Sequence, residues 1–407
     1  MNCRYCGSPD SLAFLDLGHT PVSNQFIAPE RALEPEVHFP LQLFGCRACR
    51  LVQVAESPGS RELFPDDYPY FSSVSRSWLA HAAAYAAMAQ ERFGLGPASL
   101  VVEAACNDGY LLQYFAARGI PCLGVEPTMG TAEAARAKGL AVETEFVTTA
   151  YGRELARRRG RADLVVGNNV LAHVPDLADF VGGLREILAP NGVLTMEFPH
   201  LKRLVEGVQF DTVYHEHYSY FSLHTVDRVF RDQGLALWDV EELATHGGSL
   251  RVYAGHLGRA PAPRPGLVRV LAEEEQAGML TDPWYGGLQA KVERLKWELV
   301  RFLTGERLAG RRIAGYGAAA KGNTLLNFCG IGRDLVEFVA DLSTHKQGLL
   351  LPGSHIPVAP PERIAETRPD YVLILPWNLR EEIMTQLAPL RAWGGKFVLP
   401  VPRVEVV

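Results

Sequence analysis

Two Cys-x-x-Cys pairs, Cys3/Cys6 and Cys46/Cys49, bracket the first fifty residues. Thiolates two residues apart reach one ion together, and two such pairs complete a tetrahedron. Sulfur ligands without a redox demand favour zinc. The four cysteines are therefore read as one structural Zn2+ site, whose closed shell leaves no open position for catalysis. His19 and His38 are weaker ligand candidates. Residues 1–75 are rich in turn formers and have little periodicity, with short strand-like runs such as 39–44 and 51–55. Such a segment has too small a core to fold without its metal.

The remaining cysteines, Cys106, Cys122 and Cys329, sit in apolar or loop contexts and read as packing residues. Paired Cys-x-x-Cys suits a reducing cytoplasm and a metal better than disulfides. The opening MNCRYCG lacks the positive segment and apolar core of a signal peptide. No stretch reaches the roughly 20 apolar residues that span a bilayer. A net charge of −6 gives no electrostatic case for nucleic acid. The run Arg157-Arg158-Arg159 with Arg161 reads as a helix C-terminus complementing its dipole. No coiled-coil seam or other self-association signal fixes an oligomeric state, and a monomer fits.

At 407 residues the chain exceeds one ordinary core. After the metal module, an Ala-rich helix over 77–93 leads into strands at 99–105, 122–125, 141–142, 164–167 and 193–198. These alternate with helices at 110–118, 129–138 and 177–188. The alternation predicts an α/β fold, a parallel sheet covered on both faces. Residues 250–254 read as its closing strand. The Pro-rich stretch 260–265 reads as a linker. Helical material follows to about 308, then a second strand-loop-helix unit with strands at 313–316, 336–340 and 371–375 and an edge strand at 396–399. The expected domains are a zinc module (1–75), a central Rossmann-like α/β domain (76–260) and a second α/β domain (261–407).

The run Val101 to Gly109 is a strand entering a loop and a helix. Glu103 lies at the strand end, and small residues in the turn let backbone approach a cofactor. Ala105 and Asn107 stand in glycine-like places. Glu126 ends the next strand some twenty residues on, where a carboxylate accepts both ribose hydroxyls. The pattern points to S-adenosylmethionine (SAM), with Glu103, Asn107, Asp108, Gly109, Glu126 and Pro127 as binding residues. Asn168 and Asn169, after the fourth strand, fall at the methionine end. An NAD site is the rival, but Gly-x-Gly-x-x-Gly is absent from this first unit.

Residues 210–221, Phe-Asp-Thr-Val-Tyr-His-Glu-His-Tyr-Ser-Tyr-Phe, crowd ionisable and aromatic groups together. If extended, the segment would place His215 and His217 on one face, as a metal pair would require. No His-Glu-x-x-His is present, and general-base chemistry fits better: imidazole titrates near neutrality and a carboxylate can orient it. Tyr214, Glu216 and His217, with His173, form the candidate site. Farther on, Gly315-Tyr-Gly-Ala-Ala-Ala320 matches a phosphate-cradling loop between strand and helix, and Asp341 ends the following strand. Three readings stay open there: NAD binding in an oxidoreductase, sugar-nucleotide binding, or a domain that only buttresses the site.

The chain resembles the three-domain sugar C-methyltransferases that act on nucleotide-linked 4-keto-6-deoxy sugars. The resemblance covers nearly the whole chain. It rests on the Cys-x-x-Cys pairs, Asp67-Tyr68-Pro69-Tyr70-Phe71-Ser72-Ser73, Glu103-Ala-Ala-Cys-Asn-Asp-Gly109 and Asn168-Asn-Val-Leu-Ala-His173. It continues through Tyr214-His-Glu-His-Tyr-Ser-Tyr220, Gly247-Gly-Ser-Leu-Arg251 and Gly315-Tyr-Gly-Ala-Ala-Ala-Lys-Gly-Asn323. Ala104-Ala105 depart from a loop that often reads Ile-Gly.

The resemblance implies methylation from SAM at carbon 3 of a dTDP-linked 4-keto sugar. That carbon needs a base, and its neighbouring ketone needs a donor as an enolate forms. His217 is the expected base, oriented or assisted by Glu216. Tyr214 and His173 would bond the ketone, and Tyr68 or Tyr70 would close the sugar pocket. Tyr316, Gly317, Ala318, Lys321, Asn323 and Asp341 would hold the sugar nucleotide. An O- or N-methyltransferase acting on a sugar nucleotide is the alternative within the same architecture.

Overall fold

The computed structural model describes residues 2–55, 59, 63 and 70–407. Three strands open the chain: β1 (Ser11–Thr20), β2 (Phe39–Cys46) and β3 (Val52–Val54) form an antiparallel meander. The middle body follows with β4 (Val101–Ala104), β5 (Cys122–Val125), β6 (Val142–Glu143), β7 (Ala162–Asn168) and β8 (Leu188–Pro199). All pair in parallel in the order β8-β7-β4-β5-β6. Leu164, Val165 and Val166 are fully buried, as a strand covered on both faces requires.

The short strand β9 (Ser219–Tyr220) leaves this body and pairs with β3, completing the N-terminal sheet. Two antiparallel strands, β10 (Leu235–Leu243) and β11 (Ser249–His256), then extend the middle sheet to seven strands in the order β10-β11-β8-β7-β4-β5-β6. The expected closing strand at 250–254 is thus an interior one. The true edge, β10, escaped the sequence pattern because Asp239, Glu241 and Glu242 interrupt its apolar run. Their charges are met by Arg92, Arg203, Arg251 and Arg269.

Residues 260–265 are not a free linker. Arg264 N–H donates to Trp238 O at 2.8 Å, and the helix Pro265–Gln276 starts there with Pro at its first turn, where a missing N–H costs nothing. Glu274 of this helix is fully buried. It accepts from the backbone of Leu223 and His224 and from the rings of His200 and His224. It therefore ties its own helix to the start of the helix Leu223–Asp232 and to His200 beside β8, so the chain just beyond 261 still packs on the middle body. Ser222 Oγ caps that same helix through Thr225 N–H at 3.1 Å, a bond worth about 1 kcal/mol.

The last body is a six-stranded sheet of β12 (Ile313–Tyr316), β13 (Val339–Ala340), β14 (Val358–Ala359), β15 (Tyr371–Ile374), β16 (Lys396–Leu399) and β17 (Glu405–Val406). Its order is β14-β13-β12-β15-β16-β17. The expected edge strand, β16, is covered on its far side by antiparallel β17. The helix Ala320–Cys329 leaves β12 and packs on the turn Phe210–Thr212 and on β1. This brings all three bodies to one place. Among the described residues no helix is long and apolar enough to cross a membrane.

Candidate active site and metal centre

The sulfur atoms of Cys3, Cys6, Cys46 and Cys49 lie within 4.8 Å of one another, with Cys3–Cys49 and Cys6–Cys46 both at 3.6 Å. A zinc tetrahedron with Zn–S near 2.3 Å demands S···S of about 3.8 Å, so the four thiols fit the ion. His19 and His38 are exposed and stand outside this group. The knuckle rests on the helix Leu223–Asp232, where Thr225 Oγ1 donates to Cys49 O and Arg228 to Ala48 O.

At the cofactor loop, Ala105 and Asn107 adopt left-handed φ of +55° and +50°, filling the glycine-like places the sequence pattern gave them. Gly109 has φ +75°, and a Cβ there would meet Leu140 Cδ1 at 2.2 Å, so only glycine fits. Glu126 accepts from Asn107 N–H (2.9 Å), Thr128 N–H (3.0 Å) and Thr128 Oγ1 (2.5 Å), with Pro127 half-buried beside it. Glu103 is fully buried, and burial pushes its carboxyl well above the usual range.

Both Glu103 oxygens, Asp108 Oδ1, Asn168 Oδ1 and Asn169 Oδ1 are buried without a hydrogen-bond partner among the described residues. Such orphaned acceptors are costly. A ligand bearing an ammonium, ribose hydroxyls and an adenine amine satisfies them, so the residues fit SAM. The side chain of Asn107 has a second task. Its amide accepts from Ser72 N–H at 2.9 Å and donates to Tyr70 O at 3.1 Å, strapping 70–72 over the loop. Asp108 likewise takes Ser73 N–H and pairs with Lys138.

The Tyr-His-Glu-His segment is a turn, not a strand: His217 N–H bonds Tyr214 O at 3.0 Å. The two histidines consequently diverge. His215 packs edge-on to Phe39 and bonds Pro40 O, so the face-sharing metal pair does not form. His217 turns inward. Its Nδ1 donates to Thr212 O at 3.2 Å, which leaves Nε2 to accept from Tyr214 Oη at 2.7 Å. Burial pushes His217 well below the usual imidazole range, and neighbouring His173 adds to this. His173 stands edge-to-face at 4.7 Å, donates Nδ1–H to Glu216 O at 2.9 Å, and is lowered by burial to about 4. Glu216 is buried and accepts from Asn24 Nδ2 at 2.8 and 3.0 Å. Tyr70 is 45% exposed at the entrance side. Tyr68 lies outside the described residues.

The C-terminal loop splits the residues expected there. Gly317 has φ +88° and would clash with Pro376 at 2.4 Å if it carried a Cβ. Ala318 N–H and Ser343 N–H both donate to Asp341, and Tyr316 is buried beneath the loop. Asn323 is 1% exposed and donates to Ser23 O, so it joins the helix to the zinc module. Lys321 reaches the other way, to Asn378 Oδ1 at 2.6 Å.

Sequence reasoning missed Asn24, Asp211, His246, Lys346, Trp377 and Asn378. It also missed the buried trio of Glu197, His81 and Arg251. Burial alone would raise Glu197, but His81, Arg251 and Thr245 hold it at about 2. Glu197 had a visible signal, an acid within an apolar strand. The others come from distant segments, His81 from the helix Arg76–Phe93, Arg251 from β11 and the rest from turns and loops, which no local pattern joins.

Three family models match the chain in tandem: a zinc binding domain over 3–64, a methyltransferase domain over 78–240 and a C-methyltransferase C-terminal domain over 244–402. The C-methyltransferase NovU of Streptomyces niveus is 35% identical over 405 residues, covering 100% of this chain and 96% of that one. Among solved structures, magnesium protoporphyrin IX methyltransferase from Synechocystis PCC 6803 with bound SAH aligns over 44% of this chain and 87% of its own, at 16% identity and TM-score 0.35. The PH0226 protein of Pyrococcus horikoshii OT3 aligns over 48% and 97%, at 14% identity and TM-score 0.38.

Proposed function

From a chain that belongs to the zinc-binding, SAM-dependent C-methyltransferases, we propose methylation at carbon 3 of a dTDP-linked 4-keto-6-deoxy or 2,6-dideoxy sugar, by way of an enolate, in the making of a branched deoxysugar. The observation that carries the reading is the state of His217. Its Nδ1–H is committed to a backbone carbonyl and burial disfavours its charged form, so Nε2 carries a lone pair, engaged by Tyr214 Oη until substrate displaces the hydroxyl. Carbon becomes a nucleophile only after losing a proton, and an adjacent ketone makes that proton removable.

In this mechanism His217 Nε2 takes the carbon-3 proton. Tyr214 Oη, once substrate releases it from Nε2, would donate to the ketone or developing enolate; His173, whose Nδ1–H is spent on Glu216 O, would reach the ketone only in its other tautomer. Glu216, held by Asn24, keeps the His-bearing turn in place through its backbone bond to His173. SAM, when bound, supplies an electrophilic methyl group. Glu103, Asn107, Asp108, Gly109, Glu126, Pro127, Asn168 and Asn169 are the residues proposed to hold it, and the strap over Tyr70–Ser72 keeps water from it. Tyr316, Gly317, Ala318, Lys321, Asn323 and Asp341 are proposed to frame the sugar nucleotide, Asn323 by docking the helix rather than by contact. The protein would act in the cytoplasm, with no nucleic-acid or membrane partner.

The test is transfer from methyl-labelled SAM to a dTDP-4-keto-2,6-dideoxyhexose, with NMR of the product. A new methyl on carbon 3 is expected, and His217→Asn should abolish it while retaining SAM binding. A methyl on oxygen would replace the enolate mechanism, and no transfer to any keto sugar nucleotide would overturn the reading.

A further inference from the structure

We propose that Lys321 is a catalytic residue whose ammonium stabilises the negative charge developing on the ketone oxygen as carbon 3 is deprotonated. The inference rests on the 4-keto sugar reading above and adds to it the group that carries the oxyanion.

The placement comes from a continuous run of contacts. Lys321 Nζ donates to Asn378 Oδ1 at 2.6 Å and lies 4.9 Å from the centre of the Trp377 ring. Trp377 Nε1 donates to Asp211 Oδ2 at 2.7 Å. Asp211 is fully buried in the turn Phe210–Thr212, and Thr212 O is the acceptor that fixes His217 Nδ1. The C-terminal body therefore sets its lysine against the same turn that sets the base.

The direction of the side chain matters as much. On the opposite side of the loop, Asp341 takes Ala318 N–H and a second buried lysine, Lys346, donates to Ala318 O at 2.9 Å. Lys346, which also feels Asp341 and Glu216, is thus spent on the loop's backbone, whereas the hydrogen bond of Lys321 goes to the neutral amide of Asn378. The charge of Lys321 reaches both His217 and His246, where it adds to burial in disfavouring the protonated rings.

The chemistry balances without a further reactant. His217 Nε2 accepts the proton. The C–H electron pair becomes the carbon 3–carbon 4 π bond, and the carbonyl π pair moves onto oxygen. An ammonium held in a site screened from water by Trp377 opposes that charge more strongly than it would in water.

The test is deuterium uptake at carbon 3 of a dTDP-4-keto-2,6-dideoxyhexose in D2O, followed by NMR with S-adenosylhomocysteine present, so that no methyl transfer intervenes. Lys321→Met should slow exchange and kcat together by about a hundredfold, with SAM affinity unchanged and KM for the sugar nucleotide altered far less than kcat. Lys321→Arg should recover part of the rate. Asn378→Ala, which only releases the ammonium from its anchor, should lose about tenfold in the same two quantities. Wild-type exchange in Lys321→Met, or a loss confined to KM, overturns the proposal and leaves the lysine as a substrate anchor. If Lys321→Met fails to bind SAM, Asn378→Ala decides, and wild-type exchange there overturns it. A wild-type enzyme that neither exchanges nor methylates this sugar overturns the substrate reading itself, and the inference with it.

Discussion

The molecule contains the same device twice, and the two copies have been put to different uses. In each, a strand enters a loop that opens a helix, and an acid ends the neighbouring strand: Glu126 for the loop at Ala105–Gly109, Asp341 for the loop at Gly317–Ala319. The first loop leaves a set of buried acceptors unsatisfied, led by both oxygens of Glu103. Around the second, Tyr316 Oη and Asn323 Oδ1 are the buried side-chain atoms left without a partner among the described residues, and its backbone is largely engaged. Gly317 N–H goes to Ala340 O, Ala318 N–H to Asp341, Ala319 N–H to Gly317 O, and Ala318 O is met by Lys346. Both loops spend their backbone N–H groups on their own architecture; what marks the first as a receptor and leaves the second as a frame is the cluster of orphaned carboxylate and amide oxygens around the first. What the second copy exports is side chains, Lys321 toward the base and Asn323 toward the zinc module.

The contrast breaks most severely if the metal is taken away. Chelation, or Cys46→Ser, releases the sheet that contains β9 and the Asn24–Glu216 and Asn323–Ser23 contacts. We expect turnover to vanish while SAM binding, measured by calorimetry, persists; simultaneous loss of both would mean that the two loops are not separately supported. Next in size, Glu126→Ala should weaken SAM binding by about a hundredfold, the cost of losing charged hydrogen bonds at a buried site, and leave KM for the sugar nucleotide alone. Asp341→Ala should do the reverse, raising that KM by about tenfold as the frame loosens, with SAM titrations unaltered. Because Gly317 lies against Pro376 and Lys346 takes Ala318 O, this loop should give no tryptophan quenching with NAD; saturable quenching would return it to the receptor class. The smallest effect belongs to Asn107→Ala. Freeing the strap at Tyr70–Ser72 removes two hydrogen bonds worth about 1 kcal/mol each, so stopped-flow release of SAM should quicken several-fold.

The receptor was easier to read from sequence than the frame, for a physical reason. Glu103, Glu126, Asn168 and Asn169 each end a strand, and a parallel sheet delivers strand ends to one edge, so spacing along the chain predicts proximity. The four cysteines were legible likewise, since ligand geometry is encoded in the two-residue gap. The Tyr-His-Glu-His cluster was visible as a density of functional groups, yet its geometry was not. Extended alternation put His215 beside His217, whereas the turn at Tyr214 sends one to Phe39 and the other inward. Trp377, Asp211 and Asn24 were invisible because each matters only through a partner more than a hundred residues away, and Asn378 because its partner Lys321 lies 57 residues back on another element. The strand Leu235–Leu243 was missed since its acids look like a surface until the arginines that neutralise them are in place.

The pairing of β3 with β9 has a consequence for how the protein is made. The N-terminal meander can close around its metal early, but the edge of β3 has no neighbour until Ser219 and Tyr220 arrive. About 160 residues must be synthesised in between, which at 5–20 residues per second takes roughly 10–30 s. Throughout that interval the nascent chain carries an open β edge, a template for unwanted pairing. The segment that finally covers it is the one bearing His217, so completing the first sheet and seating the base are a single event on the ribosome's clock.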